Sequence, residues 1–221
     1  MTRYFKTTHL DGRGFEAGDH LWMEGAVTSL LGNKKGVEVL GPELLYAATE
    51  PGNALIGGSW PCKLFEVEPI GTVTADKRQP DVVGAHSWSV ERQLPAAQVF
   101  GPNGDAVVAM LETISVLAPG QFHSCGFDWD DNELVALDNA RKLASTNGRL
   151  GAWNGAWVAA EQAISRRVWE IMPGETWGAL HDNARRTVRD AVLAIVVRDL
   201  IDIVDFRSLY GPWERTMDVS A

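Results

Sequence analysis

The sequence predicts an α+β protein, because its two halves carry two different hydrophobic patterns. Up to about residue 122, short runs of β-branched and aromatic residues alternate with Gly and Pro turns, as they do in strands. Beyond that point Gly and Pro become rarer, and apolar residues recur every three or four positions, as on one face of a helix. We therefore predict a β-rich domain over residues 1–122 and a helical bundle domain over residues 123–221.

Five segments of the first half are predicted to be strands: RYFKTT, ELLYAAT, KLFEVEPIGTV, AAQVF and ETISVLA. A short helix is expected over residues 53–56, because Glu50-Pro51-Gly52 ends the strand before it. In all, about six strands and one or two short helices are expected in this domain.

Three helices joined by short turns are predicted in the second half. They are expected from Asp131 to the Asn147-Gly148 turn, from about Trp153 to Ile171, and from about Thr176 to Val204. Asp is a favoured N-cap residue, whereas Gly and Pro end helices, which sets these limits. The tail DFRSLYGPWERT is interrupted by Gly and Pro, and we expect it to pack back across the bundle with Trp213 as its anchor.

The balance of charges argues against a general nucleic-acid-binding surface. The chain has 221 residues, with 20 Lys and Arg against 29 Asp and Glu, which is a formal net charge of −9. Such a surface repels a polyanion, so nucleic acid is not expected as a partner. The nine tryptophans are expected to supply bulky core and interface surface instead.

The sequence predicts a cytoplasmic protein with neither a membrane span nor a metal site. The first residues, MTRYFKTTHLDGRG, lack the apolar core of a signal peptide. The longest apolar run, AVLAIVV, is far shorter than the roughly 20 residues that a spanning helix needs. Cys62 and Cys125 form no C-x-x-C pair, and FDWDDNE lacks the Gly and the distal Glu of a calcium loop, which favours a helix N-terminal charge cluster.

Five segments between residues 3 and 101 occur in a distinctive order: YFKTT, EAGDHLWMEG, LLYAATEPGNAL, KLFEVEPIGTVTAD and VGAHSWSVERQLPAAQVFG. This order resembles the rifampin ADP-ribosyltransferase family, small enzymes of the ADP-ribosyltransferase fold. The matching motifs are Gly18-Asp19-His20-Leu21, Leu45-Tyr46 with Ala47-Ala48-Thr49, Val67-Glu68-Pro69-Ile70-Gly71, Asp76 and Ser87-Trp88-Ser89. The resemblance covers a little under half of the chain, and it implies an ADP-ribosyltransferase-like split β-sandwich followed by the small helical bundle.

This resemblance implies NAD as the cofactor and assigns a role to several residues. Tyr46 would supply the ring that holds the nicotinamide, and Asp76 the carboxylate that stabilises an oxocarbenium-like transition state or activates the acceptor. Lys6, Arg78 or Arg92 would meet the pyrophosphate as charged donors. The residues implied in cofactor binding are Phe5, Lys6, Thr7, His9, Tyr46 and Ser87.

These residues also have ordinary structural interpretations. Tyr46 can end a strand with its ring in the core and its hydroxyl in water, and Asp76 can be a turn residue in the polar loop TADKRQPD. Glu66 and Glu68 alternate along one strand, so both face the same side, and Glu68 before Pro69 can simply shape the turn.

The position of Phe5 decides between the functional hypotheses. In the family, a His-Gly-Thr opens the chain and its His holds a ribose of NAD, whereas the alignment places Phe5-Lys6-Thr7 there. A phenyl ring cannot hydrogen-bond a ribose hydroxyl, and His9 lies four residues later. We therefore predict a degenerate, non-catalytic protein that binds a protein partner or a nucleotide through the old cofactor cleft and the helical domain.

Two alternatives remain open at this stage. One is an active NAD-dependent ADP-ribosyltransferase that modifies a small molecule, a protein or a nucleic acid. The other is an immunity or anti-defence protein that binds a nucleotide without turnover.

The chain is also similar to uncharacterised proteins of actinobacteria and their phages that join such a domain to a Trp/Ala-rich helical tail. This similarity implies that the helical domain binds a protein partner or, in a homo-oligomer, a second copy of the chain.

Overall fold

The computed structural model describes residues 2–15, 20–30, 44–55, 57–75, 80–123, 131–171 and 179–218. These residues form a seven-stranded antiparallel sheet followed by six α-helices, which confirms the α+β prediction. Internal contacts divide the chain into Met1–Val99, here called the sheet unit, and Phe100–Ala221, here called the helical unit.

The strands are β1 Tyr4–Thr8, β2 Val27–Ser29, β3 Leu45–Ala48, β4 Lys63–Pro69, β5 Thr74–Ala75, β6 Val82–Ala85 and β7 Ser87–Leu94. Their order in the sheet is β2-β7-β4-β1-β3-β6-β5, and all neighbours are antiparallel. The predicted strands RYFKTT and ELLYAAT are confirmed as β1 and β3, and the predicted strand KLFEVEPIGTV is confirmed as β4 only up to Pro69. The short helix expected after β3 is a 3-10 helix, Pro51–Leu55.

Two predicted strands were wrong. AAQVF forms a 3-10 helix, Ala96–Phe100, and the first residues of ETISVLA form the last turn of helix α1, Gly104–Ser115. The buried residues of α1, Val107, Met110, Leu111 and Ile114, keep helical spacing, and that period overrides the β-branched composition of the segment. Because α1 belongs to the helical unit, the observed division falls after Val99, earlier than the predicted boundary at residue 122.

The sheet curls around its own core. The indole Nε1–H of Trp88 in β7 donates a hydrogen bond of 2.8 Å to the carbonyl oxygen of Leu45 in β3. In a flat sheet these strands would lie about 14 Å apart, with β4 and β1 between them. The inner faces of β7 and β3 therefore face each other across a buried cluster of Trp22, Leu45, Ala47, Phe65, Val67, Val83, Ala85, Trp88 and Val90.

Strand alternation assigns each residue of β1 to one face of this curled sheet. Tyr4 points inward, where its ring meets that of Trp88 edge-on at a centroid distance of 5.5 Å. Lys6 points the same way, with its ammonium 5.2 Å from the ring centroid of Trp22. Phe5 and Thr7 consequently point to the opposite side, which we call the outer face.

The helices are α1 Gly104–Ser115, α2 Pro119–His123, α3 Asp131–Thr146, α4 Leu150–Ile171, α5 Ala179–Val196 and α6 Ile203–Asp218. Helix α5 contacts each of the other five. Its last turns, together with Val197, are buried on every side, which explains the uninterrupted apolar run AVLAIVV. In the part of the chain that the structure describes, no helix is both long and apolar enough to cross a membrane.

The predicted helices α3 and α4 are confirmed, but the third predicted helix is divided. Helix α5 ends at Val196, and the tail, which was expected to be interrupted by its Gly and Pro, forms the helix α6. The carboxylate of Asp202 accepts hydrogen bonds of 2.8 Å from the backbone N–H groups of Val204 and Asp205, and this N-cap starts the new helix. The predicted burial of Trp213 is confirmed, since its exposed fraction is 4%.

Candidate functional site

Phe5 and Tyr46 lie on the same outer face of the sheet unit, as diagonal neighbours in two adjacent strands. Phe5 in β1 lies opposite Ala48 in β3, and Tyr46 is two positions along β3 on the same face. Tyr46 is 38% exposed and lies opposite Gly84 of β6. A Cβ atom at Gly84 would come within 3.2 Å of the Tyr46 ring, so the missing side chain leaves room for that ring.

Thr7 and His9 are engaged in local contacts. The hydroxyl of the buried Thr7 donates a hydrogen bond to the carbonyl oxygen of Ala54 in the 3-10 helix that follows β3. The imidazole of His9 lies against the ring of Phe15 at a centroid distance of 4.2 Å. Both side chains thus contribute to the packing at the end of β1.

Lys6 and Ser87 do not join the Phe5–Tyr46 pair. Lys6 is 6% exposed and lies on the inner face, over Trp22. Ser87 begins β7 opposite Ser29 of β2, and the sheet order places β4 and β1 between β7 and β3. The structure therefore separates three places that the motif alignment groups into one.

The predicted carboxylate partner of Tyr46 is Asp76, which lies outside the described residues, as do Arg78 and the Gly18-Asp19 turn. The strand directly before Asp76 is β5, which pairs with β6, and β6 in turn pairs with β3. The catalytic pairing of Tyr46 with Asp76 stays a prediction.

A glutamate with two arginines lies beside Phe5 on the outer face; the resemblance implied Arg92 as a pyrophosphate donor, but sequence reasoning did not group it with Glu66 and Arg3. Register places Arg92, Glu66, Phe5 and Ala48 in one row across β7, β4, β1 and β3. Arg92 donates to the Glu66 Oε2 atom from Nε at 3.0 Å and from Nη2 at 2.7 Å. Arg3 Nε approaches the Glu66 Oε1 atom at 3.2 Å.

The sequence did contain a signal for this group. Glu66 is a carboxylate in the middle of the apolar strand KLFEVEP, and a charged residue so placed requires a cationic partner. Its exposed fraction is 7%. Alternation alone placed Glu66 and Glu68 on one side of the strand, but only the sheet order shows which cations flank it.

The helical unit carries a groove of about 390 Å³ along α4 and α5, lined by Trp157, Val158, Glu161, Gln162, Ser165 and Arg185. The Arg189 guanidinium lies 4.4 Å from the Trp157 ring centroid, and Arg185 Nε donates to a Glu161 carboxylate oxygen at 2.6 Å. Within the described residues, the buried Oε1 atom of Gln162 has no hydrogen-bond donor. This groove combines an aromatic ring with charged and polar side chains.

Cys62 and Asp190 are buried titratable residues that are poorly suited to catalysis. Burial raises the pKa of the Cys62 thiol to about 12, so this cysteine is not a thiolate nucleophile at neutral pH. Burial likewise raises the pKa of Asp190, while a 2.7 Å hydrogen bond from Arg189 Nε to Oδ1 lowers it. Asp190 is fully buried within the bundle, which gives a substrate no access.

The described residues contain no group of three His, Cys, Asp or Glu side chains arranged to hold a metal ion. Comparison of the chain with models of protein families, with curated proteins and with solved structures finds no match. The chemistry of the outer face therefore has to be inferred from its own geometry.

Proposed function

We propose that this is a binding protein built on an ADP-ribosyltransferase-like domain that no longer turns NAD over. It binds a nucleotide on the outer face of the sheet unit and a protein partner through the helical unit. The curl of the sheet is consistent with the split β-sandwich that the resemblance implies. Trp88 and Leu45 are in contact across the core, although their strands are not neighbours in the sheet.

Phe5 carries the proposal. It lies beside Tyr46 on the outer face, so two aromatic rings can hold a flat ligand. The phenyl ring offers no hydrogen bond to a ribose hydroxyl, and transfer chemistry requires the ribose to be held in place as its bond to nicotinamide breaks. Stacking of a ligand is thus retained, whereas the orientation that turnover needs is lost.

The surroundings of Phe5 also favour binding over catalysis. The Thr7 hydroxyl is bonded to Ala54, and the Lys6 ammonium lies over Trp22 on the other side of the sheet. Each oxygen of Glu66 is in contact with an arginine. The polar side chains of Thr7, Lys6 and Glu66 are therefore engaged in contacts within the sheet unit.

The helical unit is proposed to contact a protein partner. Helix α4 exposes Trp157 by 37% and Trp169 by 63%. These two residues are about 18 Å apart along the helix, since each residue advances it by about 1.5 Å. Exposed tryptophans of this kind are typical anchors of protein interfaces, and the net charge of −9 disfavours nucleic acid as the alternative.

Calorimetric titration with NAD, combined with an assay for released nicotinamide, tests the proposed function. We expect binding in the micromolar to millimolar range, its loss in Tyr46→Ala, and no nicotinamide release. Ile70→Ala is the matched control, because Ile70 is 48% exposed on the same unit but follows β4, which the sheet order separates from β3 by β1. Nicotinamide release would indicate an active transferase instead, and absence of heat at millimolar NAD would refute nucleotide binding.

A further inference from the structure

We propose that Arg3 and Arg92, oriented by Glu66, form a phosphate-binding subsite on the outer face, and that it takes the pyrophosphate of a nucleotide. The choice of a nucleotide rests on the proposed function. The phosphate subsite itself rests only on the geometry of these three side chains.

Glu66 holds both guanidinium groups in fixed positions. Arg92 uses Nε and Nη2 to contact the Oε2 atom, and Arg3 uses Nε to contact the Oε1 atom. A guanidinium carries five N–H donors, so each arginine keeps several that point away from the carboxylate. Both side chains are more than half exposed, so a ligand can reach those donors.

The negative charge of Glu66 is buried, whereas the positive charges of Arg3 and Arg92 are exposed. The Glu66 side chain is only 9% exposed, whereas those of Arg3 and Arg92 are 63% and 56% exposed. The positive charges of Arg3 and Arg92 thus face solvent above the single carboxylate that they contact, on a protein whose net charge is −9. Arg149 in the helical unit differs, since both oxygens of Asp199 contact it at 2.6 Å and its Nη1 also donates to the Val196 carbonyl oxygen.

The neighbouring residues indicate which phosphate compound fits. Guanidinium groups bind phosphate oxygens with paired, charge-assisted hydrogen bonds. Phe5 lies next to Glu66 in the same row, about 10 Å from Arg92 across two strand spacings, and Tyr46 lies beyond it. A ligand with a pyrophosphate and a flat ring can contact the arginines and the aromatic pair together, which describes a nucleoside diphosphate or a dinucleotide.

Calorimetric titration of the full chain with pyrophosphate alone, at low ionic strength, tests the subsite. Loss of one charge-assisted contact is expected to weaken binding about tenfold, so Arg3→Gln and Arg92→Gln should each do so. Arg13→Gln is the matched control, because Arg13 is 55% exposed on the same unit and forms an ion pair with Asp11. Unchanged affinity in Arg92→Gln, or equal weakening in Arg13→Gln, would overturn the proposal.

Two further variants separate a shaped site from simple charge attraction. Arg92→Lys keeps the charge but loses the planar fork, and we expect it to weaken binding severalfold. Glu66→Gln adds one unit of positive charge while removing the carboxylate that orients the arginines. Weaker binding in Glu66→Gln supports a positioning role for Glu66, whereas tighter binding would contradict it. Circular dichroism and thermal unfolding confirm that each variant is folded.

Comparison of ligands distinguishes this inference from the proposed function. ADP should bind at least severalfold more tightly than pyrophosphate, and Tyr46→Ala should remove that advantage only. ADP binding no tighter than pyrophosphate would refute the nucleotide assignment and leave a site for free phosphate compounds. NAD binding that depends on Tyr46 but is unaffected by Arg92→Gln would refute the subsite and leave the proposed function standing.

Discussion

Phe5 lies directly opposite Glu66 in the antiparallel pair of β1 and β4, and both side chains point to the outer face of the sheet. An aromatic ring without hydrogen-bonding groups therefore borders a carboxylate that is covered by two arginines. This juxtaposition gives the face a flat apolar area next to a positive one. We propose that this surface binds a nucleotide, and that Phe5 lacks the hydrogen-bonding group that would hold its ribose.

Replacing Phe5 with histidine should strengthen NAD binding. An imidazole at this position supplies a donor for a ribose hydroxyl, and one added hydrogen bond contributes about 0.5–1.5 kcal/mol, or roughly two- to twelvefold in affinity. Calorimetric titration measures the change. Phe5→Leu is the control, since it removes the ring without adding a donor and should weaken binding. Equal affinities in Phe5→His and Phe5→Leu would contradict the assignment of Phe5 to the ribose position.

Gly84→Ala should destabilise the sheet unit and displace Tyr46. The added Cβ would lie 2.8 Å from Leu44 and 3.2 Å from the Tyr46 ring. Overpacking of this kind typically costs about 1–3 kcal/mol, and urea unfolding measures it. Gly120→Ala is a suitable control, because a Cβ there meets nothing within 4 Å. Equal stability of the two variants would show that the Tyr46 ring does not need the space left by the missing side chain at Gly84.

Trp88→Phe should cost more stability than Trp22→Phe, although both residues are fully buried. The Trp88 indole N–H donates to the Leu45 carbonyl, whereas no acceptor for the Trp22 indole N–H is found in the described part of the chain. Leaving the Leu45 carbonyl without its donor should add about 1–3 kcal/mol to the cost of the lost volume. The difference in unfolding free energy between the two variants tests this, and a difference near zero would count against the curled sheet.

The Arg149–Asp199 pair should make stability sensitive to acid. The hydrogen bond from Arg149 lowers the pKa of Asp199 to about 2, below the value of about 3.9 for an unfolded chain. A lowered pKa means that this contribution is complete above the unfolded value and is lost as the pH falls towards 2. Its size is reduced by solvent, because the Asp199 side chain is 47% exposed.

Asp199→Asn removes this titration. Unfolding free energies measured from about pH 5 to pH 2 should therefore fall less steeply in the variant than in the wild type. Asp138→Asn is the control, since its ion pair with Lys142 is an exposed i,i+4 contact and contributes little. Parallel pH profiles of wild type and Asp199→Asn would show that this pair does not stabilise the folded chain.

Much of the fold was predictable because it depends on local patterns. Alternation in YFKTT and KLFEVEP marks strands, and three- to four-residue spacing with Asp131 and Gly148 at the ends marks α3. The failures also have a local cause: the run around Ile114 has strand-like composition but helical spacing, and packing within the helical unit favours the helix. Asp202 ends one helical region and caps the next, a role that hydrophobic spacing does not reveal.

The sequence by itself determined the α+β class, the excess of acidic residues and the presence of Phe5 where the resemblance implies a histidine. Tertiary structure alone decided which side chains meet. It turns Lys6 inward to Trp22 and Phe5 outward beside Glu66, although the two residues are adjacent in the chain. The physical reason is that strand pairing and sheet curl are set by long-range hydrogen bonds and burial of the core. Side chains from β1, β4 and β7 therefore become neighbours only when the whole sheet has formed.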